Sequence, residues 1–289
     1  ENGFDITKFL YEKDDVRWFN DLPNDTAKME NTPKETLKIR FPKPKGVEKA
    51  MLIINGGASY FGSNMIKEML DLKGNKVDEW YKSIYKGSDE QKRLFNAMHR
   101  DESYYLDVKV NDDKGLQNAG IMASNGPIVD EDIMYPLDLS NHNSDYVEIV
   151  LTPQRYFWKF DQISITYDFD KVEQNNISEV KIEKANDNNG IDIRQHVAEK
   201  DKEYYRMPNT GDFTEMRLKV PEGFSKETSQ IYVVTTGYYE INLSRNGIAN
   251  NKLINDILFK ENELFRYAVS LYKNKISEIA KLLNSTLWK

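Results

Sequence analysis

The sequence predicts a mainly β protein: a jelly-roll β-sandwich with an inserted helical segment, a second small β-sandwich and a C-terminal amphipathic helix. Short segments of alternating apolar and polar residues recur along most of the chain, with the period of half-buried strands. Between residues 61 and 100, and again from about residue 254, the apolar period becomes that of a helix. The polar stretch VEQNNIS at residues 172–178 separates two strand-rich regions, which indicates two domains.

Residues 1–33 are polar and form a predicted N-terminal extension, which Trp18 and Phe19 anchor onto the body of the protein. The first sandwich then spans residues 34–172. The turn sequence NDDKG between two alternating segments predicts a tight hairpin. Pro136 cannot donate a ladder hydrogen bond, so its strand is expected at an edge or to be broken. The strands predicted before the last one cover residues 36–41, 49–55, 104–110, 116–124, 132–140 and 145–152.

The last strand of this sandwich lies in RYFWKFDQISITYDFD, residues 155–170, which carries six aromatic rings. Its apolar residues fall first on even positions, ending at Phe160, and then on odd positions, beginning at Ile163. A strand of period two changes phase only by a slip of one residue, which predicts a β-bulge at Asp161-Gln162. We expect Asp161 to bond an unpaired amide there, and the rings on its two sides to face opposite ways.

Residues 173–289 are predicted to form a small immunoglobulin-like β-sandwich followed by the C-terminal helix. From Ile254 to Leu283 the apolar residues follow a helical period, and we expect this face to dock on the second sandwich. The expected strands cover residues 178–185, 213–220, 229–236 and 238–243.

Composition excludes several classes of function. The formal net charge is −7 and the Lys and Arg residues form no unbroken cluster, which argues against nucleic-acid binding. The absence of cysteine removes disulfides, zinc–thiolate sites and cysteine nucleophiles. No run approaches the roughly 18 apolar residues that a membrane span needs. The residue bias is typical of an AT-rich bacterial genome, and the start at Glu1 without a targeting segment predicts a mature chain whose leader has been removed.

Two glycine-containing stretches fail as ligand-binding motifs. The segment from Gly57 to Gly62 fits the phosphate-binding loop at its two glycines, but Ser63 stands where that loop needs lysine. The segment NDNNGIDI would place Ala185 and His196 at the first and last ligand positions of an EF-hand, and neither can serve. We interpret the first stretch as a strand end with flexible backbone before the inserted helix, and the second as a turn.

Catalytic and metal candidates are carboxylates. Asp161 and Asp138 lie in strand-like segments and are the candidate acid and base if the protein hydrolyses a glycan. We expect no cofactor other than a structural calcium ion, for which Asp130, Asp132 and Asp145 offer oxygen ligands.

The first region resembles the galactose-binding-like β-sandwich of discoidin-type and carbohydrate-binding modules. The similarity lies in TLKIRFPKP, KAMLIINGGAS, YYLDVKVNDDKGLQNAG, DIMYPLDLSNHNSDYVEIVL and FWKFDQISITYD, in this order. The whole order is similar to secreted or lipoprotein-like bacterial proteins in which a small β-domain follows, with a YY-x-MP-x-x-GD phrase (204–212) and a GYY strand (237–239). This resemblance spans roughly residues 34–245, and it implies export but no established activity.

The function that we expect is a non-catalytic, exported or surface-anchored binding module for carbohydrate, such as a polysaccharide or cell-surface glycan. Sugars stack on exposed aromatic rings while polar groups fix their hydroxyls. The alternatives are a glycan-acting hydrolase and a structural subunit that docks a protein partner through its helices. The ring candidates are Tyr156, Trp158, Tyr135 and Trp80, with Tyr60 and Tyr81 beside them.

Overall fold

The computed structural model describes residues 3–19, 34–84, 87–124, 130–169, 173–201, 203–237 and 243–287. The described part of the chain is mainly β, with nine antiparallel strands and six α-helices. The chain divides into two units, of which the first comprises Glu1–Phe169 and Leu243–Lys289 and the second comprises Asp170–Asn242. The strands are β1 (Leu37–Pro42), β2 (Lys49–Ala58), β3 (Tyr105–Asp112), β4 (Gly115–Ala123), β5 (Glu131–Asp138), β6 (Tyr146–Leu151), β7 (Trp158–Thr166), β8 (Lys181–Asp187) and β9 (Thr214–Lys219). The helices are α1 (Tyr60–Asp71), α2 (Val77–Ser83), α3 (Asp89–Arg100), α4 (Arg194–Val197), α5 (Asn251–Phe259) and α6 (Glu263–Leu287).

The first unit contains a four-stranded sheet in the order β1-β6-β3-β4 and a three-stranded sheet in the order β5-β2-β7. Both sheets contribute to one hydrophobic core, which includes Leu52 and Ile54 of β2 and Val147 and Ile149 of β6. The predicted hairpin is confirmed, since β3 and β4 are joined by a two-residue turn. Pro136 lies in the edge strand β5, as its missing N–H requires.

The predicted helical insertion between β2 and β3 is confirmed, and it consists of α1, α2 and α3. The hydroxyls of Ser59 and Ser88 cap α1 and α3 by accepting hydrogen bonds from the third amide that follows each of them. Gly62 in the first turn of α1 has no substitute, because a Cβ there would lie 2.7 Å from the carbonyl oxygen of Phe157. This close approach seats the helix against the start of β7.

The C-terminal helices belong to the first unit, whereas the sequence analysis grouped them with the second. Phe61 of α1 makes edge-to-face contacts with Phe265 and Tyr272 of α6, with ring centroids 6.3 and 6.1 Å apart. Arg100 at the end of α3 donates hydrogen bonds to the carbonyl oxygens of Ile257, Leu258 and Lys260, which completes the C-terminus of α5. The helical period in the sequence predicts which face of the C-terminal helices is apolar, but it does not predict which part of the protein that face packs against.

The second unit differs from the predicted four-stranded sandwich. Its described residues form one two-stranded sheet, β8 with β9, and the short helix α4. The structure gives residues 229–237 no strand, and residues 238–242 of the last predicted strand lie outside the described residues. The interpretation of residues 186–193 as a turn is supported, since Asp187 accepts hydrogen bonds from the amides of Asn189 and Ile191.

Candidate functional site

The bulge in β7 lies at the residue pair where the apolar phase changes. Asn55 of β2 pairs with Gln162 and the next residue, Gly56, pairs with Phe160, so Asp161 is the extra residue. The predicted bulge is therefore confirmed. A Cβ on Gly56 would lie 2.6 Å from the carbonyl oxygen of Lys159, so the bend of β7 requires glycine on the facing strand.

The prediction that the rings flanking the bulge face opposite ways is wrong. Trp158 and Phe160 pair with Ala58 and Gly56, and Ile163 pairs with Ile54. Ala58, Gly56 and Ile54 alternate along β2 and share one face, and residues directly opposite each other in a sheet also share a face. The extra residue cancels the phase change of the sequence, so Trp158, Phe160 and Ile163 are all buried in the core.

The N-terminal segment covers the bulge from outside the core. Trp18 and Phe160 exchange two backbone hydrogen bonds of 2.7 and 2.9 Å, which adds one more pairing partner to β7. The Trp18 ring is buried and stacks on that of Phe160, with centroids 5.8 Å apart, whereas Phe19 is 48% exposed. Of the two expected anchors, Trp18 alone contacts the core.

Asp161 binds this segment through its carboxylate. Its two oxygens accept hydrogen bonds from the backbone amides of Asp14 and Asp15, at 3.4 and 3.3 Å. We expected Asp161 to bond an amide left unpaired by the bulge, but the amides that it binds belong to the N-terminal segment. Residues 11–17 are thereby held over the outer face of the three-stranded sheet.

A cavity of about 400 Å³ lies between this segment and the sheet. That volume is within the range of roughly 300–1,000 Å³ typical of small-molecule sites, but the lining is polar rather than apolar. Its described lining residues come from four separate parts of the sequence. They are Lys13, Asp15, Arg17, Asn55, Asp130 and Asp161.

Ion pairs fix most of the charged groups around the cavity. Asp130 accepts a 2.6 Å hydrogen bond from Nε of Arg17 and lies 2.5 Å from Nζ of Lys159. The hydrogen bond between Arg17 and Asp130 raises the pKa of Arg17. Asp132 contacts Lys13 Nζ at 3.1 Å and accepts a 2.6 Å hydrogen bond from Asn55. The hydrogen bond from Asn55, and then the Lys13 charge, lower the pKa of Asp132 despite its partial burial.

Two buried side chains at the cavity have acceptor capacity that the described residues do not fill. The side-chain oxygen of Asn55 has no hydrogen-bond partner within the described structure, although the residue is only 1% exposed. Asp161 is 2% exposed, takes part in none of the ion pairs among the described residues, and accepts two long amide hydrogen bonds, with the Arg17 charge acting on it from farther away. Burying polar groups of this kind costs folding free energy unless a hydrogen-bond partner satisfies them.

The expected aromatic platform is not formed, because Tyr156 and Trp158 lie in the core. Trp158 is 1% exposed, and its indole N–H donates to the carbonyl oxygen of Glu102 at 2.9 Å. Tyr156 stacks on Phe265 of the C-terminal helix, with centroids 6.2 Å apart. Neither ring offers a face to a sugar.

Trp80 and Tyr135 are also buried, in two different places. Trp80 lies in α2, where its N–H donates to Glu90 at 2.8 Å. The Tyr135 ring of β5 packs over Gly120, and burial raises its pKa to about 12. Of the two neighbouring candidates, Tyr60 is exposed and Tyr81 is half-buried. These rings share no surface at the cavity.

The structure separates the two candidate catalytic carboxylates. Asp138 pairs with Lys49 at one end of β2, whereas Asp161 lies beside Asn55. Six residues of strand at about 3.3 Å each put these positions roughly 20 Å apart. Acid and base in glycoside hydrolysis stand within roughly 5–9.5 Å of each other, so this pair cannot act on one bond.

The candidate calcium ligands are divided as well. Asp130 and Asp132 lie at the cavity, but both are engaged by cationic side chains. Asp145 precedes β6 in the other sheet. Among the described residues, no three His, Cys, Asp or Glu side chains are grouped to hold a metal ion. Calcium at Asp130 and Asp132 stays a prediction.

Sequence analysis missed Lys13, Arg17 and Asn55. The only local signal was Asn55, a polar residue that ends the apolar run LII of a buried strand. Lys13 and Arg17 stand in a polar segment with no motif, and only the pairing of Trp18 with β7 brings them to the cavity.

A second polar cluster joins α3 to β3. His99 Nε2 lies 2.6 Å from Asp107 Oδ1, and Lys109 Nζ lies 3.7 Å from Glu102 and 3.8 Å from Asp107. Burial raises the pKa of Glu102, whose backbone φ is 50°. The sequence analysis noted no pattern that includes His99. This cluster lies on different elements from the cavity.

Comparisons with known proteins place no family on this chain. No protein-family model matches it, and no curated protein matches it with significance. No helix within the described residues is long and apolar enough to cross a membrane. The cavity geometry is therefore the basis for a functional proposal.

Proposed function

We propose that the protein is a non-catalytic binding module for a polyhydroxylated ligand of the carbohydrate class, held in the polar cavity over the bulge at Asp161. The observation that carries the proposal is this cavity of about 400 Å³, whose polar lining includes the buried Asn55 side-chain oxygen without a donor and the buried Asp161 carboxylate with only two long hydrogen bonds. A sugar presents many hydroxyl donors in a small volume, and a polar lining favours such a ligand over an apolar one.

The finer fold assignment is part of the proposal. The two antiparallel sheets of the first unit, with four and three strands, are compatible with the galactose-binding-like jelly roll that the sequence resembles. Export or surface anchoring as a bacterial lipoprotein-like protein is likewise proposed on that resemblance. The proposed ligand site differs from the one that the sequence suggested, since it lies on the outer face of the three-stranded sheet and not on aromatic rings.

A glycan array followed by calorimetric titration tests the proposal. We expect one or more glycans to bind the wild-type chain and to lose binding in Asn55→Val, which removes a cavity acceptor. Asp138→Asn is the matched control, because Asp138 is exposed and lies far from the cavity along β2. Absence of binding to every glycan, or equal binding by Asn55→Val, refutes carbohydrate recognition at this site.

The hydrolase alternative keeps one supporting observation, which is that Asp130 and Asp161 line the same cavity. Its test is the release of sugar from any glycan that binds. Hydrolysis that Asp161→Asn abolishes, with binding retained, would favour the enzyme over the binding module.

A further inference from the structure

The cationic side chains at the cavity are already ion-paired, whereas acceptors remain. Lys13 and Asn55 donate to Asp132, and Arg17 donates to Asp130 and Asp15. The Asn55 oxygen accepts nothing from the described residues, and a carboxylate such as Asp161 can accept more than its two long amide hydrogen bonds. A ligand that fills these remaining acceptors must donate hydrogen bonds.

The residues that line the cavity also carry one net negative charge. The described lining residues comprise two cations, Lys13 and Arg17, and three carboxylates, Asp15, Asp130 and Asp161. Adding Lys159 and Asp132, which touch these groups, leaves the excess at one negative charge. Because Asp161 is the carboxylate without an ion pair among the described residues, the unbalanced charge lies at the cavity floor.

A metal ion is a poor match for that charge. Calcium takes six to eight oxygen ligands, and the carboxylates of Asp130 and Asp132 are already held by Arg17, Lys159 and Lys13. An ammonium group needs fewer partners, since it carries one positive charge and three donors on one atom.

We propose that the site selects a sugar that carries a free primary amine, whose ammonium group bonds the Asp161 carboxylate and the Asn55 side-chain oxygen. The ligand class is thus amino sugars rather than neutral or N-acetylated sugars. This inference rests on the carbohydrate-binding function proposed above. It gives a role to a buried carboxylate without an ion pair among the described residues and to a buried amide oxygen without a donor, both of which lie within core strands.

Calorimetric titration of the full chain with D-glucosamine, D-glucose and N-acetyl-D-glucosamine tests the inference. The three sugars share a ring and differ in the group at one carbon, and acetylation removes the charge. We expect glucosamine to bind about tenfold tighter or more than the other two, as for a charge-assisted hydrogen bond. The preference should vanish above the pKa of the glucosamine amine, and Asp161→Asn should lose it.

The outcomes separate the two proposals. Equal binding of the three sugars, or glycan binding without glucosamine binding, refutes the amine and leaves carbohydrate recognition standing. Binding to no sugar and to no glycan of the array refutes both. Glucosamine selection that requires calcium and disappears with a chelator also overturns the inference. Because the wild-type comparison needs no variant, it decides the matter even if Asp161→Asn unfolds, which thermal unfolding would reveal.

Discussion

Replacing Trp18 with alanine tests whether the N-terminal segment is a structural part of the first unit. Trp18 is 7% exposed, stacks on Phe160 and exchanges two backbone hydrogen bonds with it. A buried aromatic side chain removes roughly 150–250 Å² from water, which at about 25 cal/mol per Å² corresponds to about 4–6 kcal/mol. Alanine retains part of that contact, so we expect a loss of about 3–5 kcal/mol in the free energy of unfolding.

The adjacent Phe19 supplies the matched control, because it is an aromatic residue of the same segment but is 48% exposed. We expect Phe19→Ala to change the free energy of unfolding by less than about 0.5 kcal/mol. For a unit of this size, the Trp18→Ala loss corresponds to a Tm lower by roughly 6–20 °C. Thermal unfolding by circular dichroism measures both variants.

Limited trypsin digestion provides the second readout, since Lys13 and Arg17 lie within the segment that Trp18 anchors. We expect Trp18→Ala to be cut there faster than wild type and Phe19→Ala to behave as wild type. Equal Tm values and equal cleavage rates for the two variants would refute the docking of the segment. The cavity that depends on the segment would then lose its basis.

The remaining predictions concern single residues of the first unit, with one control, Gly237, in the second. Burial raises the pKa of Glu102, so the contribution of this carboxyl to stability is present below its unfolded pKa and is lost as pH rises through its folded pKa. In urea unfolding, Glu102→Gln should therefore gain stability relative to wild type as pH rises from acid to neutral. A stability difference that does not change with pH would contradict this. Tyr135 has a buried hydroxyl without a partner within the described structure, so Tyr135→Phe should raise the unfolding free energy by about 1 kcal/mol, and a clear loss would mean that the hydroxyl is bonded. A Cβ on Gly120 would lie 2.4 Å from the Tyr135 ring, so Gly120→Ala should lower the free energy of unfolding by about 1–3 kcal/mol. A Cβ on Gly237 would have no atom within 4 Å, so Gly237→Ala should lower it far less. Thermal unfolding measures both variants, and equal effects would contradict the steric argument.

The strand pattern of the first unit could be predicted because it is written in local periods and turns. The phase change between Phe160 and Ile163 located the bulge, and the NDDKG turn located a hairpin. The same local information could not give the faces of the rings. Whether an extra residue moves side chains to the other face or keeps them on the same face depends on the pairing with β2. The local sequence does not contain that pairing.

The aromatic platform failed for a related reason. Tyr156 and Trp158 are covered by Phe265 and by the loop at Glu102, which lie about one hundred and fifty residues apart in the sequence. Exposure of a ring is thus decided by distant elements, above all by the helices that the sequence analysis assigned to the other unit. A strand-borne aromatic residue is more often buried than exposed, because its large apolar surface is what a core needs.

Asn55 shows most directly why the cavity calls for a ligand. Its neighbours in β2 are apolar, and a valine there would suit the strand and leave no oxygen unsatisfied. Valine would lose the hydrogen bond to Asp132, but that carboxylate still contacts Lys13 and is partly solvated, so the two effects are each about 1–3 kcal/mol and nearly offset. Folding therefore gives little reason for asparagine at this position. Its amide donates to Asp132 and leaves a buried oxygen acceptor in the same cavity lining as Asp161, which is the arrangement that a donor-rich ligand would complete.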